Sequence, residues 1–420
     1  MGIALDGVPA CAETGRDTTA VRPPRRTDRN AIEYVLALPS IALKIPVRVT
    51  ATLVSAPIII VERNTLLPTL ERWFSFVDFG GLQPIAGYGS TPGLEGGLSY
   101  HHRHVFGRGI GLGVQGSYST NLYRQGSVRF GGKQWLDSRY GFMAEFGWQG
   151  ATRERFYGIG ASSSIDNESN YGFEGRFGSA TGFWHVRPGL EATVKAGLRR
   201  IDPEDGRLRR IEYQLDSISL LYPDDDLFGL FETVDLYEFG FEVRHDWRDR
   251  PGSPLRGGTE LIAVSYVTGS SQDDTDIGYW RAKADLSHYL NLYRGRAIGV
   301  RTLAEVTEPD DGTRVPFYEL SRLGGGSRLR GYRSDRFTDR DLALFTIEYR
   351  WPLWQRMDAF LFTDQGRVFA NLEKDFEFSN FRSSYGGGLR VWNTSGGTVE
   401  FSIAQGAETT RFYFDFGAAF

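Results

Sequence analysis

Several things are scarce in this chain, and each scarcity excludes something. There is one cysteine, Cys11, in 420 residues. No disulfide can therefore form within the chain, though a single thiol leaves the redox compartment open. No apolar run is long enough to cross a membrane as a helix. The longest uncharged apolar stretch, residues 49–61, covers about thirteen residues and contains Pro57, against the roughly twenty that a helical span needs. The formal net charge of −4 gives no reason to expect nucleic acid as a partner. A Gly-x-Ser-x-Gly nucleophile elbow is missing, and no convincing Ser/His/Asp arrangement stands in for it. The sequence thus offers no catalytic set, and neither a cofactor nor a resident metal is expected.

Glycine and aromatic residues, by contrast, are abundant, at 52 glycines and 14% Phe, Trp and Tyr. Glycine costs about 1 kcal/mol in a helix interior, so this composition speaks against a helical protein. Strands that bend or end near turns accept it. The mean hydropathy of −0.33 is that of a water-soluble protein. A transmembrane β-barrel reconciles these facts, because only every second residue of a spanning strand meets lipid.

Three regions follow in order. Residues 1–30 are polar and rich in Pro and Arg and read as disordered or as a residual targeting segment. Ala10-Cys11-Ala12 has the small-x-small form that ends a signal peptide. It raises the expectation that the coding frame begins upstream, against the plainer reading of a chance tripeptide. Residues 31–80 mix apolar residues with Lys44, Arg48, Arg63 and Arg72 and are punctuated by Pro39, Pro46, Pro57 and Pro68. Proline ends or kinks a helix, so short helical pieces are expected, either at the periplasmic membrane face or as a plug. Residues 81–420 read as the barrel, and no array of repeated periplasmic modules is expected in the residues before them.

From about residue 82 the period changes to two. Leu190, Ala192, Val194, Ala196 and Leu198 alternate with Glu191, Thr193, Lys195, Gly197 and Arg199. Tyr237, Phe239, Phe241 and Val243 alternate with Glu238, Gly240, Glu242 and Arg244. Phe412, Phe414, Phe416, Ala418 and Phe420 alternate with Arg411, Tyr413, Asp415, Gly417 and Ala419. A Lys or Arg facing mid-bilayer costs roughly 2–4 kcal/mol, so the charged faces must line a wet lumen. A soluble sandwich would also alternate, but it has no use for strands this long with aromatic ends such as Trp148, Trp247 and Trp351. The pattern predicts about sixteen strands, an even number that puts both barrel ends on the periplasmic side. The long connections, 151–167, 201–232, 308–338 and 366–382, all follow odd-numbered strands, as outer loops should.

Weaker patterns have plainer readings. Gly111-Leu112-Gly113-Val114-Gln115-Gly116 fits a dinucleotide-binding glycine pattern on paper, but the sequence continues as a strand, without the helix that would hold phosphate. His102 and His104 share a strand face without a third ligand, and read as solvated barrel residues. The carboxylates at Asp224–Asp226, at Asp273, Asp274 and Asp276, and at Asp310–Asp311 could hold Ca²⁺ but read as solvated loop charge.

Two motifs carry a resemblance. Leu323-Gly324-Gly325-Gly326-Ser327-Arg328-Leu329-Arg330-Gly331-Tyr332 falls in the sixth outer loop, and Phe362-Thr363-Asp364-Gln365-Gly366 two strands on. Together with the strand Thr346–Leu353 and the turn formed by Asp246-Trp247-Arg248-Asp249, Pro254, Arg256 and Gly257, they resemble the BamA/TamA-type outer-membrane barrel superfamily over residues 244–420. Phe156-Tyr157-Gly158-Ile159-Gly160 is similar to a segment of its short, surface-antigen-like members. The resemblance implies an all-β transmembrane barrel in the outer membrane of a Gram-negative bacterium. It implies a pairing of Arg330 with Asp364 and a loop lock comprising Arg330, Gly331, Tyr332, Asp364, Gly366 and Glu348. Strand parity allows that pairing, with Glu348 nearby. Gly324, Gly325 and Gly326 are expected to take positive φ and fold the loop into the lumen, and Phe420 to act as an assembly signal. The function implied is insertion or translocation of proteins at the outer membrane. Its partners would be outer-membrane lipids, the outer-membrane assembly machinery and a periplasmic protein that delivers clients. A passive pore, a lipid-handling barrel or an outer-membrane lipid hydrolase are the alternatives.

Overall fold

The computed structural model of the chain describes residues 80–89, 93–102, 105, 110–134, 138–206, 216–222, 227–392 and 398–417. The expectations for residues 1–30, for 31–80 up to Gly80, and for His104, Asp224–Asp226 and Phe420 lie outside the described residues.

Among the described residues sixteen long strands form one antiparallel sheet, as the alternation predicts. They are β1 (Gly80–Gly89), β2 (Gly93–His102), β3 (Gly111–Ser119), β4 (Arg124–Gly132), β5 (Tyr140–Phe156), β6 (Ser169–Arg187), β7 (Leu190–Asp205) and β8 (Val234–Asp246). There follow β9 (Gly257–Ser271), β10 (Asp276–Tyr293), β11 (Arg296–Pro309), β12 (Asp341–Trp354), β13 (Met357–Phe369), β14 (Arg382–Trp392), β15 (Thr398–Gln405) and β16 (Thr410–Gly417). Each pairs with the next, from β1–β2 through β7–β8 and β11–β12 to β15–β16. The glycine-rich segment 111–116 is strand β3, which disposes of the dinucleotide reading. Among the described residues no register joins β1 to β16. The sheet nevertheless curls around its own interior. The connection between β11 and β12 touches Tyr171 of β6 and Tyr413 of β16.

The longest connections, 157–168, 206–233, 310–340 and 370–381, all follow odd-numbered strands, so the sheet has a loop-side rim and a turn-side rim. Several strands run further than periodicity alone suggests. β5 continues to Phe156, β7 to Asp205 and β13 to Phe369, into stretches expected to be loop. At 17, 19 and 16 residues, β5, β6 and β7 exceed the roughly ten needed to cross hydrocarbon. Their loop-side ends therefore rise above the membrane belt, where alternation is no longer enforced by lipid.

Strand parity sorts the side chains onto two faces. Phe239 and Phe241 of β8 are 57% and 51% exposed, and Val194, Leu198, Ile262, Trp280, Ile347 and Leu361 share that outer face. So much bare apolar surface is tolerable only against lipid. The inner face is not polar throughout. Toward the loop side it is filled by an apolar core in which Leu323, Leu329, Tyr332 and Phe337 from the β11–β12 connection pack on Leu303, Leu342, Leu344 and Val368 of the wall. Inward positions at that height are apolar because the connection covers them.

Substituting Phe239→Arg should lower stability in lipid vesicles by about 2–4 kcal/mol, since the cation would face hydrocarbon. The inward substitution Glu242→Gln on the same strand should change it little. Urea unfolding of both variants measures the contrast, and equal effects would contradict the assignment of faces.

Candidate lumen-loop site

The inward rows of β12 and β13 set the site. Thr346, Glu348 and Arg350 lie opposite Asp364, Phe362 and Phe360 in the strand register. On β14, inward Ser384, Gly386, Gly388 and Arg390 lie opposite Asp364, Phe362, Phe360 and Asp358. The glycines leave room for the phenylalanine rings: a Cβ at Gly386 would sit 2.6 Å from Phe362, and one at Gly388 2.6 Å from Phe360. The rings thus lie flat across the sheet and present a face to the lumen.

Arg330 comes down onto this surface from the β11–β12 connection. Its Nε donates to Asp364 Oδ2 at 2.8 Å and its Nη2 to Oδ1 at 2.7 Å, a two-pronged match of planar groups. The Arg330 backbone amide adds a bond of 3.2 Å to Oδ2, and Thr346 Oγ1 donates to Oδ1 at 2.9 Å. The guanidinium carbon lies 3.3 Å from the centre of the Phe362 ring, so the cation is also held by the ring face. Asp364 is wholly buried and Arg330 6% exposed.

The other residues of the expected set fall around this pair. Gly331 has a φ of +84°, and a Cβ there would lie 2.5 Å from the Gly406 nitrogen, so no larger residue fits. Its amide donates to Tyr413 Oη at 2.9 Å, and its carbonyl accepts from Thr409 Oγ1 at 2.9 Å. Tyr332 is buried and donates to the Ser383 carbonyl at 3.3 Å, while its hydroxyl oxygen accepts from the Ala407 amide at 3.3 Å. Gly366 provides space for Leu323, whose Cδ2 would be 3.0 Å from an added Cβ. Of the three loop glycines, Gly324 and Gly325 take positive φ, +126° and +92°. Gly326 does not; its lack of a side chain instead lets Tyr413 approach, 3.0 Å from where a Cβ would be.

Glu348 is near Arg330 but hydrogen-bonds elsewhere. Arg390 grips it at 3.0 and 3.2 Å and reaches Glu400 at 2.8 Å with Nε. Arg390 is not among the residues that the motifs single out. Its signal was parity: it is an inward cation opposite Asp358 on one side and Glu400 on the other. Below it, Arg350 donates to the Pro254 carbonyl, and Ser253 Oγ donates to buried Asp358. The β8–β9 turn (residues 247–256) thereby tucks its tip inside the turn-side rim. Asp249 braces that turn by accepting the Leu255 and Arg256 amides at 2.8 and 3.1 Å.

Further anchors stretch the β11–β12 connection across the interior. Arg322 donates to Tyr171 Oη at 2.5 Å. Arg336 holds Glu408 at 2.8 and 2.9 Å and the Ser163 carbonyl at 2.7 Å. The segment Phe156–Gly160 joins in, with the Gly160 amide donating to the Thr338 carbonyl at 2.8 Å. Glu319 accepts from Arg199 at 2.7 and 3.1 Å and from Tyr279 Oη at 3.0 Å. Burial opposes the charge of Glu319, but the nearby Arg199 and Arg281 outweigh it and bring its carboxyl down to about 2. The described residues hold no three-ligand His, Cys, Asp or Glu cluster, and Asp310 accepts from Tyr266 Oη at 2.8 Å.

Arg330→Ala strands Asp364 without a counter-charge, a loss of about 3–5 kcal/mol confined to the docked loop. The barrel should still assemble, and limited proteolysis should cut the connection faster. Unchanged protection would contradict the anchoring. The Glu319 anchor has its own pH signature. With its carboxyl lowered in the folded state, it contributes fully above the ordinary glutamate value and is lost as pH falls toward 2. Pepsin should therefore begin to cut near Phe317–Leu323 between pH 4 and 2, whereas Glu319→Gln should be cut already at pH 4.

Comparison with known proteins extends the match beyond the motifs. The Omp85 superfamily domain matches residues 104–420. Among solved structures, BamA from Haemophilus ducreyi lacking POTRA domains 1-3 is similar with a TM-score of 0.62 and 15% identity, over 82% of this chain and 71% of that one. CdiB from Escherichia coli is similar with a TM-score of 0.50 and 13% identity, over 82% of this chain and 63% of that one. At such identities the likeness is one of fold. No curated protein sequence matches the chain. With the family domain covering most of its length, the chain belongs to the Omp85 superfamily of β-barrel proteins.

Proposed function

We propose that the chain assists insertion or translocation of proteins at the outer membrane of a Gram-negative bacterium. Membership of the Omp85 superfamily supports this reading. The observation that carries it is the occupied interior. The β11–β12 connection crosses from Asp364 on one wall to Tyr171 and Arg199 on the other and leaves an apolar core where a pore would need water. Such an interior suits a gated or wall-mediated activity better than steady diffusion through the centre.

On this reading Arg330, Gly331, Tyr332, Asp364 and Gly366 form the lock that holds the connection, and Glu348 belongs to the Arg390 network beneath it. Outer-membrane lipids surround the apolar belt. The outer-membrane assembly machinery and a periplasmic protein are the partners. No catalytic role is assigned.

The test uses the purified full chain in two assays. In planar bilayers it should give low conductance with brief openings, and Arg330→Ala should raise the open fraction. In vesicles it should speed the folding of an unfolded barrel protein relative to empty vesicles. Large, steady conductance without folding activity would replace this reading with that of a passive pore.

A further inference from the structure

The tall wall formed by β4 to β8 carries charge on its lipid-facing side, at one height. Trp148 of β5 lies opposite Arg176 of β6, Arg176 opposite Arg200 of β7, and Arg200 opposite Asp235 of β8. All four share the outer face with Phe146, Leu198 and Tyr237, which are exposed at the top of the apolar belt. The row is therefore the belt's loop-side edge. Two arginines directly across an antiparallel pair repel each other, and such a pair is destabilising unless an anion intervenes. Asp235 satisfies Arg200 at 2.6 and 2.7 Å. Arg176 is exposed and has no hydrogen-bond or ion-pair partner among the described residues.

Directly above this row is a cleft of about 200 Å³ lined by Tyr118, Arg124, Thr152, Glu174 and Glu204, among others. Arg124 and Glu174 form an ion pair on its wall. Tyr118 is 55% exposed and offers a ring face. Carboxylates beside an aromatic ring accept hydroxyl hydrogens and repel a bare phosphate. The three parts therefore call for different pieces of one ligand: hydrocarbon chains on Phe146, Trp148 and Leu198, a phosphate at Arg176, and hydroxyl-bearing rings in the cleft. The geometry points to a phosphorylated glycolipid of the leaflet at the loop-side rim, bound on the outer surface of β4–β8 with Arg176 as its phosphate contact. A glycerophospholipid would satisfy the arginine but leave the cleft unused. This site is separate from the lumen lock and does not depend on the insertion function.

Native mass spectrometry of the full chain in detergent, titrated with three lipids, tests it. The probes are a synthetic bisphosphorylated acyl-glucosamine disaccharide, its dephosphorylated form, and dioleoylphosphatidylglycerol. The bisphosphorylated glycolipid should bind tightest. Arg176→Glu should weaken it about tenfold or more, the loss of one charge-assisted contact, and Arg176→Gln by less. Arg294→Glu, at the opposite rim, should leave it unchanged. Heat-modifiable mobility verifies that each variant is folded. Equal binding of the dephosphorylated form, equal binding of phosphatidylglycerol, or indifference to Arg176→Glu would each overturn the assignment.

Discussion

Everything inside the sheet is organised around one buried ion pair. An arginine and a carboxylate taken out of water each lose hydration worth several kcal/mol, and each regains it only through the other and through further hydrogen bonds. Asp364 receives two bonds from the Arg330 side chain, one from its backbone and one from Thr346. Four donors on two oxygens leave little of that carboxylate unsatisfied, so the docked position is sharply defined. A small shift would break several bonds at once in a place water cannot reach. The surface beneath must be equally well defined, which is what Phe362 on glycine-lined β14 provides.

The pair also fixes elements far from it. Next to Arg330, Gly331 and Tyr332 bind the turn between β15 and β16, and Arg336 binds Glu408 in the same turn. Those last two strands are only eight residues each. A short hairpin has few ladder bonds of its own, so the connection supplies much of what positions it. At the other end, the β8–β9 turn is drawn inward by Arg350 and Asp358, whose neighbours Glu348 and Arg390 sit under the Arg330 pair. Segments from both rims are thus attached to the same group of strands, β12, β13 and β14. Movement of the terminal hairpin and release of the connection are physically linked through the turn they share.

The outer surface follows a simpler rule, the contrast between hydrocarbon and water. Where lipid covers it, the large side chains are aliphatic and aromatic. Where β6 and β7 rise past the belt, Glu174, Arg176, Arg200 and Asp202 replace them. On β7 the change happens within one step of two residues, from Leu198 to Arg200, level with Trp148 of β5.

Much of this was legible in the residues alone. Period-two alternation determined the strand count, the membrane-facing row and the long connections, because the cost of a cation in lipid acts locally on each strand. The glycine-rich loop and the Asp364 strand suggested their own pairing. The sequence by itself did not place Arg390 against Glu348, nor send the Ser253 turn to Asp358, nor set Arg176 across from Arg200. Those meetings depend on which strands lie side by side and in what register, and on where a long connection lands after crossing the interior. The tertiary structure alone decides them, since partners 105 positions apart, as Ser253 and Asp358 are, meet only once the sheet has curled.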